Sequence, residues 1–302
     1  MTQTVLILGA SGRFGRHAAT AFDAAGWVVR RFDRRTGDLA AAARGAQVIV
    51  NAWNPPYPDW ARQVPVLTQQ VIGAARQSGA TVMIPGNVYM FGEQTPPPWG
   101  AGTPHAARNP MGRIRIEMEA AYASAGLRTI VLRAGDFIDT QASGNWFDLV
   151  LTKRLAKGVF SYPGDPAIPH AWAYLPDMAR AAVQLVGMRA DLPAFADIPF
   201  PGYTLTGHEM AAALGRVTRG EVQLRRMSML PLRLAAPVWP LGRRLLEMSY
   251  LWRRPHWLDG TRFDDLLPEF RATPVETALA SALPAGLVKP QVYPDQAVAA
   301  GG

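Results

Sequence analysis

Gly9, Gly12 and Gly15 stand in GASGRFG, directly after the apolar run TVLIL and directly before a helical pattern. Glycine permits a tight turn and lets the backbone approach a pyrophosphate, whose charge is met by N–H groups at a helix start. Ser11, Arg13 and Phe14 complete the segment that would surround such a group. Asp33 follows eighteen positions past Gly15, at the end of a second apolar run, where a carboxylate accepts both ribose hydroxyls of an adenosine. Arg34 and Arg35 come next, and an arginine there pairs with a 2′-phosphate. Their other reading is a solvated strand end. The chemistry expected is the binding of NAD(P), with the choice between NAD and NADP left open.

These residues need a frame that brings strand ends and helix starts together. TVLIL reads as a buried parallel strand, and RFGRHAATAFDAAG as a helix with Phe14, Ala18, Ala21, Phe22 and Ala25 at helical spacing and Gly26 at its end. WVVRRF, AQVIVN, TVMIP and RTIVLR read as further strands, with helices around 38–44, 60–78 and 111–125. Such alternation predicts an α/β fold, a Rossmann-like doubly wound parallel sheet with a smaller, mostly helical C-terminal substrate domain. Only four residues separate Asp33 from Asp38, so the sheet should be trimmed on that side.

After residue 142 the pattern loosens. NWFDLVLTKRLA and PDMARAAVQLVGM are helical by periodicity. Thr206 with Glu209 predicts a capping box opening a helix over 207–217, and Thr273 with Glu276 predicts another, with Pro274 at its first position. The dinucleotide-binding domain is expected over 1–142 plus 168–189, and the substrate domain over 143–167 plus 190–302. The small-residue tail QAVAAGG is expected to be disordered.

At 302 residues, 49% hydrophobic and 18% charged, the chain has the composition of a folded protein rather than a disordered one. No apolar run approaches the ~18 residues of a membrane helix. The opening residues lack a signal-peptide pattern, so a cytoplasmic location is expected. Cysteine is absent, which excludes disulfides and thiolate chemistry. The five histidines, at 17, 105, 170, 208 and 256, lack metal-ligand spacing, and no metal site is expected. The formal charge of +8 is carried mostly by arginine, and no base-reading or zinc motif directs it to nucleic acid. The Met-, Trp- and Arg-rich stretch LRRMSMLPLRLAAPVWPLGRRLLEMSYLWRRPHW has two readings, a roof over an apolar ligand pocket or a surface for an anionic membrane.

The glycine spacing, RTGDL, VIVNAW, IPGNVYMFG, NPMGRIRIEME and VLRAGDF occur in an order that resembles the extended or atypical short-chain dehydrogenase/reductases, the NAD-dependent epimerase/dehydratase family. The resemblance covers roughly residues 4 to 190. It implies that Gly9, Gly12 and Gly15 hold the pyrophosphate, that Asp33 and Arg34 meet the adenosine ribose, and that Asp38, Leu39, Asn51, Ala52 and Trp53 line the cofactor. A Ser or Thr of that family that holds the substrate oxygen falls on Asn87, which can still form a hydrogen bond. Its Tyr, which exchanges a proton with substrate, falls on Met111, and the neighbouring Lys falls on Arg115. Arg115 keeps a positive charge for the nicotinamide ribose but cannot relay a proton. A substitute hydroxyl is therefore needed, and Tyr89 is the first candidate, since alternation along an extended segment would aim it with Asn87. Its other reading is an ordinary packed aromatic.

Trp53, Tyr57 and Trp60 share one proline-rich loop, and Trp146 and Phe147 begin a later segment. They suggest an aromatic-lined site for a bulky, largely apolar small molecule, with core packing as the alternative. By the same resemblance His170 and Asp177 are structural anchors, and a homodimer would form through a bundle including 111–125. The function expected is an NAD(P)-dependent oxidoreductase or epimerase acting by hydride transfer, with Asn87, Tyr89 and Arg115 at the reacting end. Its rival is a non-catalytic NAD(P)-binding redox sensor, for which loss of the Tyr and Lys would be natural.

Overall fold

An apolar run without polar alternation suits a strand covered on both faces, and Thr4–Leu8 (β1) is buried at every position. In this computed structural model, which describes residues 2–35 and 37–289, β1 leads through the glycine turn into α1 (Arg13–Ala24) and β2 (Val28–Phe32). Next come α2 (Leu39–Ala43), β3 (Val48–Asn51), α3 (Trp60–Ser78), β4 (Thr81–Gly86), α4 (Pro110–Ser124) and β5 (Thr129–Arg133), the alternation expected from the sequence. Beyond it lie β6 (Asp136–Ile138), β7 (Val159–Tyr162), β8 (His170–Tyr174), α5 (Leu175–Gly187) and β9 (Phe195–Pro199). The chain continues through β10 (Tyr203–Leu205), α6 (Gly207–Thr218), β11 (Gln223–Arg226), α7 (Leu230–Ala235), α8 (Pro240–Glu247), α9 (Thr261–Leu266) and α10 (Val275–Ala282). The tail QAVAAGG lies outside the described residues.

Six strands pair in parallel in the order β2-β1-β3-β4-β5-β9. Among the described residues β2 is an edge, as the four-residue gap after Asp33 predicted. α1 and α5 pack in the apolar layer on one face, and α3 and α4 in the layer on the other. A third apolar cluster joins β7, β8, α6 and α10 in the smaller part, which also carries the sheets β10-β8-β6 and β11-β7. The placement of the strand ends is what matters for function. β1, β2 and β3 all finish on the side where the glycine turn and the loop after Asn51 emerge.

Three expectations need correction. β9 pairs with β5 from Thr129↔Phe195 to Arg133↔Pro199, so the main sheet reaches beyond residue 190, where the substrate domain was expected to resume. Phe195 is too far past α5 for local periodicity to assign it to either part. The segment NWFDLVLTKRLA is not one helix: Phe147–Leu151 forms a single wide turn, closed by Thr152 N–H to the Phe147 carbonyl at 2.9 Å, and Leu155–Lys157 a separate tight one. Side-chain bonds compete with helix here, since Asp148 accepts from the Ser143 and Gly144 amides and Asn145 Oδ1 accepts from the Asp148 amide at 3.1 Å.

The third correction concerns the caps. Thr206 and Glu209 form the reciprocal box, with bonds of 3.1 and 2.8 Å. Thr273 does not, because its N–H and hydroxyl both donate to Asp177, at 2.6 and 2.7 Å, and Pro274 takes the capping position. Asp177 is only 2% exposed, and a buried carboxylate needs such donors more than a solvated helix end does.

Candidate functional site

Gly9 has φ +76° and accepts the Gly12 N–H at 2.9 Å, which closes the turn ahead of α1. The three glycines differ in role. A Cβ at Gly15 would collide with the Gly9 carbonyl oxygen, so Gly15 lets the helix seat on the turn, whereas Gly12 is exposed at the helix N-cap. Among the described residues no side chain caps α1, while α2 is capped by Asp38, which accepts from the Ala40 and Ala41 amides at 2.9 and 3.3 Å. The first N–H groups of α1 therefore remain available to an anion.

Beside this turn a cleft of about 390 Å³ is lined by Phe32, Arg34, Asp38, Leu39, Trp53 and the facing side of α3. The Arg34 guanidinium lies 5.8 Å from the centre of the Trp53 ring. Asp33 does not line the cleft. Its carboxylate accepts from the Arg35 amide at 2.9 Å and from the Arg35 guanidinium at 3.3 and 3.2 Å, bonds that lower its pKa.

Other residues expected around the cofactor are used in different ways. Phe14 is a core residue, 4% exposed, because the helical register that follows Gly12 turns it inward. Asn51 is buried, donating to the Tyr122 hydroxyl at 3.0 Å and accepting the Trp53 amide at 3.4 Å. Ala52 places its carbonyl against Gly9, and Ser11 is exposed on the turn. Arg13 reaches across to the 140s loop, where it donates to the Ser143 and Gly144 carbonyls at 2.9 and 2.6 Å. That bridge ties the start of α1 to the segment leading into Trp146.

The residues expected at the reacting end lie on α4 and just past the end of β4. Met111 is fully buried, and its amide is held at 2.6 Å by Glu247 from the end of α8. Arg115 is also buried; its guanidinium lies 4.1 Å from the Trp60 ring centre and donates to Asn54 Oδ1 at 3.0 Å, and its Nε has no partner among the described residues. Burial lowers the Arg115 pKa from its usual value, with Glu119 acting in the opposite sense.

Tyr89 does not lie on an extended strand. β4 stops at Gly86, and Asn87 Oδ1 accepts the Tyr89 amide at 3.1 Å, the local bond that makes Asn a turn former. The alternation argument for Asn87 and Tyr89 therefore fails, although both stay at the strand end. Tyr89 instead meets Tyr57, hydroxyl to hydroxyl at 2.7 Å, with Trp60 beside both rings. Both tyrosines are half-buried, yet enclosed enough that desolvation raises their pKa values, Tyr89 well above the usual one. They are proton donors at neutral pH and not bases.

The remaining aromatic candidates separate. Trp53 faces the cleft, and Trp146 is half-buried, edge-on to Trp252 at 5.4 Å. Phe147 is 1% exposed within the third apolar cluster, so its ring fills the core and does not line an open site. His170 bonds Asp136 at 2.9 Å, and Asp177 bonds Thr273 and Arg180, anchoring roles for both.

Sequence spacing missed one group. Arg133, Glu119 and Asp197 converge from β5, α4 and β9, and with His105 the two carboxylates come within 4.8 Å of one another. The Arg133 guanidinium bonds both carboxylates, so it supplies the positive charge that a metal would. A charged residue closing the apolar run TIVLR was the signal for it.

No family model matches the sequence, and no curated protein matches it. Among solved structures it is similar to MoeE5 in complex with UDP-glucose and NAD, at 16% identity over 92% of this chain and 97% of that one, with a TM-score of 0.71. The UDP-glucose 4-epimerase from Brucella ovis in complex with NAD matches at 20% identity over 95% of this chain and 99% of that one, with a TM-score of 0.70. The Bordetella bronchiseptica enzyme WbmH in complex with NAD+ matches at 16% identity over 93% and 97%, with a TM-score of 0.68. The chain thus has the fold of these proteins along nearly its whole length, a Rossmann-like α/β fold with a smaller C-terminal part.

Proposed function

We propose that the chain is an NAD(P)-dependent oxidoreductase or epimerase of the atypical short-chain dehydrogenase/reductase type, acting on a bulky, largely apolar small molecule. The observation that carries this reading is the uncapped start of α1 behind a left-handed glycine, opening beside a cleft walled by Trp53 and Arg34. The fit to a dinucleotide is good: α1 offers N–H groups to a pyrophosphate, and Phe32 and Trp53 line the cleft where an adenine would lie. When bound, the nicotinamide supplies or accepts the hydride.

The rest falls to side chains of this chain. Arg34 meets the adenosine end, and its guanidinium suits a 2′-phosphate, while Asp33 is partly engaged by Arg35. Arg115, with an unused Nε, holds the nicotinamide ribose. Tyr89 gives a proton to the substrate oxygen and Tyr57 stands behind it, the two hydroxyls forming a short relay. An alkoxide formed by hydride addition is a stronger base than a phenolate, so donation runs downhill even from a tyrosine of raised pKa. Removal of a proton from an alcohol does not, and reduction is the direction favoured. Asn87, whose Oδ1 holds the turn, keeps its amide N–H groups for the substrate. Residues 143–167 and the described residues past β9, up to 289, form the substrate side, with Trp146 in its wall.

The rival reading, a non-catalytic NAD(P)-binding redox sensor, draws on buried Met111 and on the absence of a Lys to lower a tyrosine pKa. Energy transfer from Trp to bound NADH or NADPH tests the common part. Wild type should bind one of them at micromolar level, and Gly12→Trp should not; if wild type binds neither, the dinucleotide reading falls. Carbonyl- or enone-dependent loss of reduced nicotinamide absorbance then selects the enzyme, and bound cofactor without turnover across a broad panel selects the sensor.

A further inference from the structure

Five of the eight large apolar side chains exposed among the described residues fall within 230–241. They are Leu230, Leu234, Val238, Trp239 and Leu241, with Leu234 73% and Val238 87% exposed. The segment is built to hold them outward. Pro237 and Pro240 break it into α7 and α8, Ala236 is buried beneath the joint, and the Trp239 ring lies over Gly242, where any Cβ would strike it. Single exposed leucines are ordinary, but five large apolar side chains exposed within residues 230–241 mark a surface that meets an apolar phase.

The charges around it identify that phase. Residues 223–254 hold seven arginines against one glutamate. Glu247 is paired with Arg244 at 2.9 Å, and Arg253 and Arg254 approach Glu93. Arg225, Arg226, Arg233 and Arg243 are exposed and enter no salt bridge among the described residues.

We propose that the α7–α8 hairpin docks the protein on the surface of an anionic lipid bilayer, with Leu234, Val238 and Trp239 entering the acyl boundary and the free arginines meeting the head groups. Exposed apolar side chains carried on the same segment as unpaired cations have the character of an interfacial anchor. A second copy suits it poorly, because pairing the two hairpins would set arginine against arginine. No helix among the described residues is long and apolar enough to cross a membrane, so the contact is with one leaflet.

The hairpin is joined to the candidate site. α8 packs on the turn Tyr57–Asp59, and Glu247 at its end holds the Asn109 side chain and the Met111 amide at 3.0 and 2.6 Å. Docking would therefore bring the Tyr57–Tyr89 pair beside the bilayer. If the catalytic reading also holds, the substrate is a lipid-soluble compound taken from the membrane.

The test is flotation of the full chain with phosphatidylcholine vesicles and with mixed phosphatidylcholine–phosphatidylglycerol vesicles. Wild type should float with the mixed vesicles only, less so at high salt. The double variant Leu234→Glu, Val238→Glu should lose at least about tenfold in bound fraction while keeping its thermal melt and its nicotinamide binding. Failure of wild type to float overturns the proposal, as does undiminished flotation of the double variant. Self-association seen by light scattering, abolished by the same variant and without vesicle binding, would assign the surface to a second copy. Cofactor binding is read separately, so the two readings fail independently.

Discussion

Arg133 and Arg115 are both buried, stand some eighteen positions apart in sequence, and live in opposite circumstances. Arg133, at the end of β5, donates to Asp197 at 3.1 and 2.7 Å, to Glu119 at 3.2 and 2.8 Å, and to the Asn87 carbonyl at 2.7 Å. Burial opposes its charge, but the two carboxylates more than offset this and its pKa is raised. Arg115, on α4, has an amide oxygen, a thioether and the face of Trp60, and its pKa is lowered by burial. A buried charge with every donor satisfied is a structural clamp. One with a donor unused and no carboxylate beside it is held less tightly by its surroundings. The clamp also serves the site, because it holds Asn87 and so the turn that presents Tyr89.

Substituting the same residue at both positions breaks the comparison most directly. Arg133→Met should cost about 3–5 kcal/mol in a urea unfolding experiment, since it strands Glu119 and Asp197 in the core. Arg115→Met should change stability by under about 1 kcal/mol, because no carboxylate is orphaned. Equal losses from the two would erase the distinction. Next in size, Tyr89→Phe should lower turnover about 10²-fold with cofactor affinity unchanged, as removal of a proton donor requires. A matching fall in affinity would return Tyr89 to a packing role. Arg115→Met should then weaken NADH or NADPH binding about tenfold, about 1.4 kcal/mol, measured by the same Trp energy transfer.

The smallest effect extends the contrast to two neighbouring histidines. His170 has the Asp136 carboxylate at 2.9 Å, whereas His256, 4.3 Å away ring to ring, has only the Arg254 carbonyl. Burial, with His170 adding to it, pushes the His256 pKa well below its usual value. The folded state then keeps this ring neutral while the unfolded state protonates it. Its contribution is intact above about pH 6.5 and is lost as pH falls, by up to about 1.4 kcal/mol per unit. Urea midpoints for wild type should therefore drop on acidification through that range, and more steeply than for His256→Gln. Parallel slopes would mean that His256 is not the group responsible.

Reading the sequence located the first five strands in one parallel sheet, the trimmed side after Asp33 and the glycine turn, because each is written in contacts between near neighbours. It also found the Thr206 box. It misjudged Thr273, which has the same local spacing, since a buried Asp177 from nearly a hundred positions away competes for the same donors. It named Tyr57 and Tyr89 separately but could not join them.

What the sequence by itself determined is the set of groups whose behaviour depends on a few adjacent residues: the glycine turn ahead of a helix start, and the Met and Arg where the resembling family has Tyr and Lys. What only the tertiary structure decided is which charges and hydroxyls are satisfied. Arg133 is closed by β9 and α4, Asp33 by Arg35, and Tyr89 by Tyr57, while Arg115 keeps a free donor. The physical reason is that local bonds are set by backbone geometry over three or four residues, whereas the pairing of a buried charge is set by packing between elements far apart in the chain.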